Sequence, residues 1–262
     1  MASSTSPARD ALRLVPAAAL AASLVAGWEL WVRLRDIPAY TLPPPSAVAA
    51  ALYRTRSQLA GHLATTVVET ALGMAIGALL GVATAALLAS VPLARRALEP
   101  LLVLSQTIPL IVLAPLLVLW FGFGMTAKVV VVVLIVYFPV AVATVGGLSG
   151  VDTDQVDLVR SLGGSRWTVL RLVRLPAAVP SFFDGMRISA AYAAAGATLA
   201  ELIGAESGLG LYIARSQRAF RVDQVIAGVV VVAALSIVLF AGVVMADRLA
   251  APWRRVQGDG TR

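Results

Sequence analysis

Six stretches of this chain are long and apolar enough to cross a lipid bilayer, and they limit the possible fold more than any other feature. A helix rises about 1.5 Å per residue, so a crossing takes about 20 mostly apolar residues. The stretches run roughly from Leu12 to Val32, Leu63 to Ala89, Pro100 to Phe121, Ala127 to Leu148, Ala177 to Ile203 and Val225 to Ala246. In lipid every backbone polar group needs an internal partner, so such runs must be helical. The expected fold is an all-α membrane protein of six transmembrane helices. Residues 1–262 form a single transmembrane unit, with core spans over about 63–250 and a long loop over about 150–176. The small residues of Ala19–Ser23 resemble a signal-peptide cleavage site. The apolar run continues through Trp28, Leu30 and Trp31, however, which exceeds an h-region of about 7–15 residues and predicts a retained anchor.

Composition supports the bilayer. The chain is 59% apolar and 13% charged, where a soluble domain has about 45–50% and about 25%. The net charge of +7 does not point to nucleic acid, because the basic residues punctuate the apolar runs instead of forming one patch. With no cysteine and His62 as the sole histidine, thiolate chemistry and His-cluster metal sites are excluded. Placing the N-terminus inside puts twelve basic residues in cytoplasmic connectors and eight, Lys128 among them, on the other side. The positive-inside rule then favours cytoplasmic N- and C-termini.

Two connectors are longer than a turn. In TLPPPSAVAAAL (Thr41 to Leu52), Ser46 is expected to cap a short helix. The other reads VDTDQVDLVRSLGGSRWTVLRLVRLP (Val151 to Pro176). There Asp154 is expected to cap a helix running to about Leu162, with Asp157 near its N-terminal end. Gly163 and Gly164 end that helix, Ser165 caps a second one, and Pro176 and Pro180 stop it. The product is a basic, amphipathic helix–turn–helix hairpin on the cytoplasmic side.

At these residues the chain resembles the permeases of ATP-binding-cassette importers. Their cytoplasmic motif is Glu-Ala-Ala, three residues, Gly, nine residues, then Ile, any residue and Leu-Pro. Here Asp157-Leu158-Val159 precedes Gly163 by three residues, and nine more lead to Val173-Arg174-Leu175-Pro176. The glycine and Leu-Pro match in spacing, while Glu has become Asp and the two alanines Leu and Val. LPPPSAV, IPLIVLAPLLVLWFGFG (Ile108 to Gly124) and AELIGAESGLG (Ala200 to Gly210) resemble the nitrate/sulfonate/taurine-type members. SQTIP (Ser105 to Pro109), TVVETALG around Glu69 and GLGLYIARSQRAFRVDQV (Gly208 to Val225) lean toward members importing thiamine-precursor pyrimidines or similar heterocycles.

The resemblance implies a type I importer permease in the inner membrane. It implies a coupling helix, with Asp157, Arg160, Gly163, Gly164, Ser165, Arg166 and Trp167 against an ATPase subunit. Its expected partners are a second permease copy in a homodimer, two nucleotide-binding ATPase subunits, an extracytoplasmic substrate-binding protein and membrane lipid. The solute would be a heterocycle of that kind or a sulfonate- or taurine-like anion. ATP and Mg would sit on the partner ATPase, with no cofactor here. No GxxxxGK[ST] phosphate loop occurs in the chain.

Other residues invite chemical readings. Gly73, Gly77 and Gly81 repeat at the GxxxG spacing that lets helices approach closely. Glu69 and Glu201 fall near the ends of spans or inside them, where a carboxylate faces either a cavity or a partner. They are candidates for the translocation path, and equally for an interfacial or gating ion pair. Gln106, Thr107, Trp120, Tyr137 and Tyr192 could hydrogen-bond to or stack on a heterocycle, although Trp and Tyr also populate interfacial belts. Asp184 and Arg187, one turn apart, suggest a local salt bridge. Pro109 and Pro115 interrupt the third span and mark it as a pore wall.

Two rival classes fit less well. Gly147-Leu148-Ser149-Gly150 has the shape of an intramembrane-protease nucleophile, but the only histidine precedes it near the opposite face. A proton- or ion-coupled secondary transporter would normally show internal repeats and more spans.

Overall fold

The computed structural model describes residues 7–105, 107 and 110–250, with side chains from residue 15 onward except at 103, 110 and 111. Every regular element among them is a helix. In chain order these are α1 (Pro7–Leu34), α2 (Pro45–Arg54), α3 (Arg56–Ser90), α4 (Pro92–Ser105), α5 (Leu110–Phe121) and α6 (Met125–Ser149). They continue with α7 (Thr153–Ser161), α8 (Arg166–Val169), α9 (Leu175–Ile203), α10 (Leu209–Arg218) and α11 (Val222–Ala250).

Four helices are long and apolar enough to cross a membrane: Val15–Leu34 within α1, α3, α6 and α11. The two other expected spans differ. The fifth is the 29-residue α9, about 43 Å long, but Asp184, Arg187 and Glu201 lower its apolarity. The third is not one helix. It is divided between the 14-residue α4 and the 12-residue α5, and neither alone reaches across a bilayer. Pro109 lies outside the described residues, and Pro115, expected to interrupt the span, lies inside the unbroken α5.

The core is a layer of α6 between α3 and α9, with α11 closing over α9. Val132, Val136 and Val140 of α6 pack against Met74 of α3 and Ala190, Ala193 and Ala197 of α9. The glycine row of α3 faces α6. A Cβ on Gly77 would stand 2.8 Å from the Val133 carbonyl and 2.8 Å from Val136 Cβ, and one on Gly81 2.9 Å from Val140 Cγ1. Absent side chains therefore set the α3–α6 distance. Helix α1 is peripheral. Its described side chains are almost wholly exposed, apart from Trp28, Glu29 and Val32, and it packs chiefly against α2, with Trp28 also against the cluster that holds Ala227 of α11.

Glu29 makes that attachment, and it corrects the expected cap at Ser46. Helix α2 begins two residues earlier, behind Pro44. Glu29 accepts the Ser46 backbone N–H at 3.0 Å and its hydroxyl at 2.8 Å, and Arg33 Nε donates to Glu29 at 2.6 Å. The carboxylate of a neighbouring helix thus satisfies the exposed donor that a local cap would take.

Candidate functional site

The loop after α6 folds as a hairpin with both ends of its turn satisfied. Asp152, not Asp154, caps α7: its carboxylate accepts the Asp154 N–H at 3.0 Å. Asp154 already sits inside the first turn, too late to cap it. At the far end Gly163 N–H donates to the Arg160 carbonyl and Gly164 N–H to the Val159 carbonyl, both at 2.9 Å. Gly163 takes φ +82°, and a Cβ on Gly164 would stand 2.6 Å from the Val159 carbonyl oxygen. The turn therefore needs glycine at both positions, once for handedness and once for space. Ser165 then caps α8, its hydroxyl accepting the Thr168 N–H at 3.2 Å.

The second helix does not stop at Pro176. It passes from α8 through a π-helical turn, Leu170–Arg174, straight into α9, with Pro176 in the first turn of α9 and Pro180 inside it. The wider turn absorbs the carbonyl that proline leaves without a donor.

Val156 and Val169 bury the hairpin's inner face, and its outer face stays bare. Leu158, Leu162 and Trp167 are 61, 80 and 66% exposed. Asp157 and Arg160 form a loose, solvent-exposed pair at 3.7 Å beside them. Large apolar side chains presented on a rigid, capped hairpin have the character of a docking surface.

A second centre is buried where α3, α6, α9 and α10 meet. Lys128 was expected among the loop charges outside the membrane. Instead it lies in the protein interior, 3.2 Å from Glu69, with side-chain exposures of 5% and 1%. Glu201 is equally buried, and its carboxyl adjoins that of Glu69. Its oxygens take the Thr66 hydroxyl at 2.7 Å and the Gly210 N–H at 2.6 Å. Thr66 in turn accepts the Leu209 N–H at 2.9 Å, and His62 Nδ1 accepts the Gly208 N–H at 3.1 Å. Gly208, at φ +118°, lets the backbone close over the Glu201 carboxyl, where a Cβ would collide with it. These hydrogen bonds serve Glu201 and the loop that covers it, whereas Oε2 of Glu69 is buried without a hydrogen-bond partner among the described residues, so the ion pair rests on the Lys128 contact.

The structure thus joins Glu69 and Glu201, and adds Lys128, Thr66 and Gly210, which sequence reasoning missed. One signal was available: Lys128 is the only lysine in the chain and stands at the edge of an apolar run. The remaining expected polar groups lie elsewhere. Tyr192 is 64% exposed on α9, and Trp120 is exposed on α5. Thr107 is exposed, its hydroxyl donating to the Leu104 carbonyl at 2.7 Å. Gln106 lies outside the described residues. Tyr137 is 3.3 Å from the Thr84 hydroxyl. Arg187 pairs with Asp184 at 3.0 Å and also with Asp247, which ties α9 to α11.

Residues 77–255 match the family described as the inner membrane component of binding-protein-dependent transport systems. The chain belongs to that family. This permease is 36% identical over 229 residues to a probable ABC transporter permease protein of Haemophilus influenzae, covering 87% of this chain and 94% of that one. It is 34% identical to the formylaminopyrimidine transport permease of Halalkalibacterium halodurans, covering 88% of this chain and 92% of that one. The fold is similar to a crystal structure of an amino acid ABC transporter with histidines. The TM-score is 0.61 at 19% identity, over 78% of this chain and 97% of that one. The protein is therefore the membrane-embedded, permease subunit of an ABC importer.

Proposed function

We propose that this permease crosses the inner membrane six times with both termini in the cytoplasm. Two copies form a homodimer, each gripped by an ATPase subunit at the hairpin and served by an extracytoplasmic substrate-binding protein. The observation that carries this reading is the bare outer face of a hairpin capped at both ends. A rigid lever that joins a span without a loop transmits rigid-body motion from an ATPase better than a floppy connector. Asp157, Arg160, Gly163, Gly164, Ser165, Arg166 and Trp167 form the contact.

The second copy is supported by α9. This most enclosed helix leaves one stripe uncovered, with Asp184, Ile188, Tyr192 and Ala195 all exposed at helical spacing. In the dimer that stripe faces its symmetry mate and the path between them, together with Gln106 and Thr107 at the break in the third span. Glu69 and Glu201 brace the wall of the path from inside. The solute is a small heterocycle, and the formylaminopyrimidine permease among the relatives favours a pyrimidine over a sulfonate.

Trp167→Glu tests the hairpin. It places a charge at the centre of the exposed patch without touching the turn or either cap. The altered permease is expected to insert normally and to lose co-purification with its cognate ATPase. Retention of the complex at wild-type yield overturns the assignment.

A further inference from the structure

One recess lies where the spanning helices α3 and α6 meet α4, and it shares no residue with the hairpin or the buried ion pair. It encloses about 200 Å³, less than the about 300–1,000 Å³ of drug-sized sites. That volume suits one small ring and excludes a fused ring system. Tyr137 and Phe138 line it from α6, their rings set edge to face and 5.0 Å apart. Leu98 and Leu101 line it from α4, and Thr84 and Ser105 supply hydroxyls. None of its described lining residues is charged.

Two of those hydroxyls are underused. Elsewhere on these helices a hydroxyl donates to a carbonyl one turn back, as Ser90 and Thr198 do at 2.7 and 2.8 Å. Thr84 makes no such bond among the described residues. Its Oγ1 stands 3.3 Å from the Tyr137 hydroxyl, beyond the usual O–H···O range of about 2.5–3.0 Å. One weak contact between two hydroxyls leaves a donor and several lone pairs unspent. Tyr137 is the midpoint of α6 (Met125–Ser149), about 18 Å from either end. Polar groups at that depth are costly against hydrocarbon, so they call for a polar guest and not an acyl chain. Ser105 ends α4 at the break in the third span, which sets the recess beside the proposed path.

We propose that this recess holds the solute during passage, as an uncharged nitrogen heterocycle of a single ring. The ring packs against Tyr137 and Phe138, and an adjacent N–H donor and ring-nitrogen acceptor meet the Thr84 and Tyr137 hydroxyls. A sulfonate finds no cation there, and burying an unpaired anion costs far more than burying a neutral ring. The assignment rests on the heterocycle reading of the solute but not on ATPase or binding-protein contact, and its test uses the permease alone.

The chain contains no cysteine, so Leu101→Cys gives a single thiol at the recess. The full-length variant in nanodiscs is labelled with a charged, water-borne methanethiosulfonate, with 4-amino-2-methylpyrimidine or taurine as the added solute. The thiol is expected to react. Pyrimidine at about ten times its half-protecting concentration should slow the reaction about tenfold, and taurine should not slow it. Adding Tyr137→Phe and Thr84→Val should leave the unprotected rate as it was, which shows that the recess still forms. The concentration for half-protection should then rise about tenfold, whereas Thr84→Ser with native Tyr137 should stay close to the parent. Absence of labelling overturns the proposal, since the recess would then open to hydrocarbon. So does equal protection by taurine, or unchanged half-protection once both hydroxyls are removed. Pyrimidine uptake by the complete importer with no protection of Leu101→Cys refutes the recess and leaves the heterocycle reading standing. Taurine uptake without pyrimidine uptake refutes both.

Discussion

Replacing Lys128 with Met removes the only cation in the buried centre and leaves two carboxyls behind it. At 3.2 Å and an effective dielectric of about 20, the Lys128–Glu69 attraction is about 5 kcal/mol. Desolvation of both ions offsets most of that, so the intact pair adds little net stability. Removing one partner is different, because the other stays buried, and such changes cost about 3–5 kcal/mol. Lys128→Met should therefore lower the unfolding free energy by that amount, read by helical circular dichroism in mixed micelles. Glu69→Gln should also destabilise, since it leaves the Lys128 ammonium buried without its carboxylate. The double variant Glu69→Gln/Lys128→Met should cost clearly less than the two single losses added together, the signature of direct coupling. A Lys128→Met loss below about 1 kcal/mol, or strict additivity in the double variant, would refute a buried pair.

Two further outcomes follow from the same packing. Thr66→Val keeps the shape but strips the hydroxyl from Glu201 and from the Leu209 N–H. A loss of about 1–3 kcal/mol is expected, with Thr66→Ser recovering most of it in the same unfolding measurement. Gly77→Leu forces a side chain into the 2.8 Å gap beside Val133 and Val136. It should cost about 1–3 kcal/mol or more, whereas Gly61→Ala, which meets nothing within 4 Å, should leave stability nearly unchanged.

How far the sequence could be read depends on the range of the forces involved. Helical spans, the Gly163–Gly164 turn and the family motif are local or spacing signals, and the chain displays them directly. The 73/77/81 glycine spacing is equally visible, but that α6 lies against it is not. Pairings across the fold left no local trace. Glu69 and Lys128 are fifty-nine positions apart, Thr66 and Glu201 still farther, and apolar periodicity does not say which helices adjoin. Asp152 and Asp154 are both acceptable caps by residue type, so only the backbone path chooses between them. At Ser46 the deciding group, Glu29, belongs to another helix. Two proline readings failed for a different reason: Pro115 lies inside an unbroken α5 and Pro176 in the first turn of α9, because proline alone does not say whether the turn before it can adjust.

The unbroken run from Arg166 through the π turn to Ile203 has a mechanical consequence. Thirty-eight residues of continuous helix make a shaft about 57 Å long, with the bare hairpin at one end and the Glu201 anchorage near the other. A twist imposed at the hairpin has no joint in which to dissipate before it reaches that anchorage. Adding or deleting a single residue within the π turn would re-phase the two ends by about 100°, a quarter-turn and more. The length of that five-residue segment thus fixes the angle at which the hairpin meets whatever drives it.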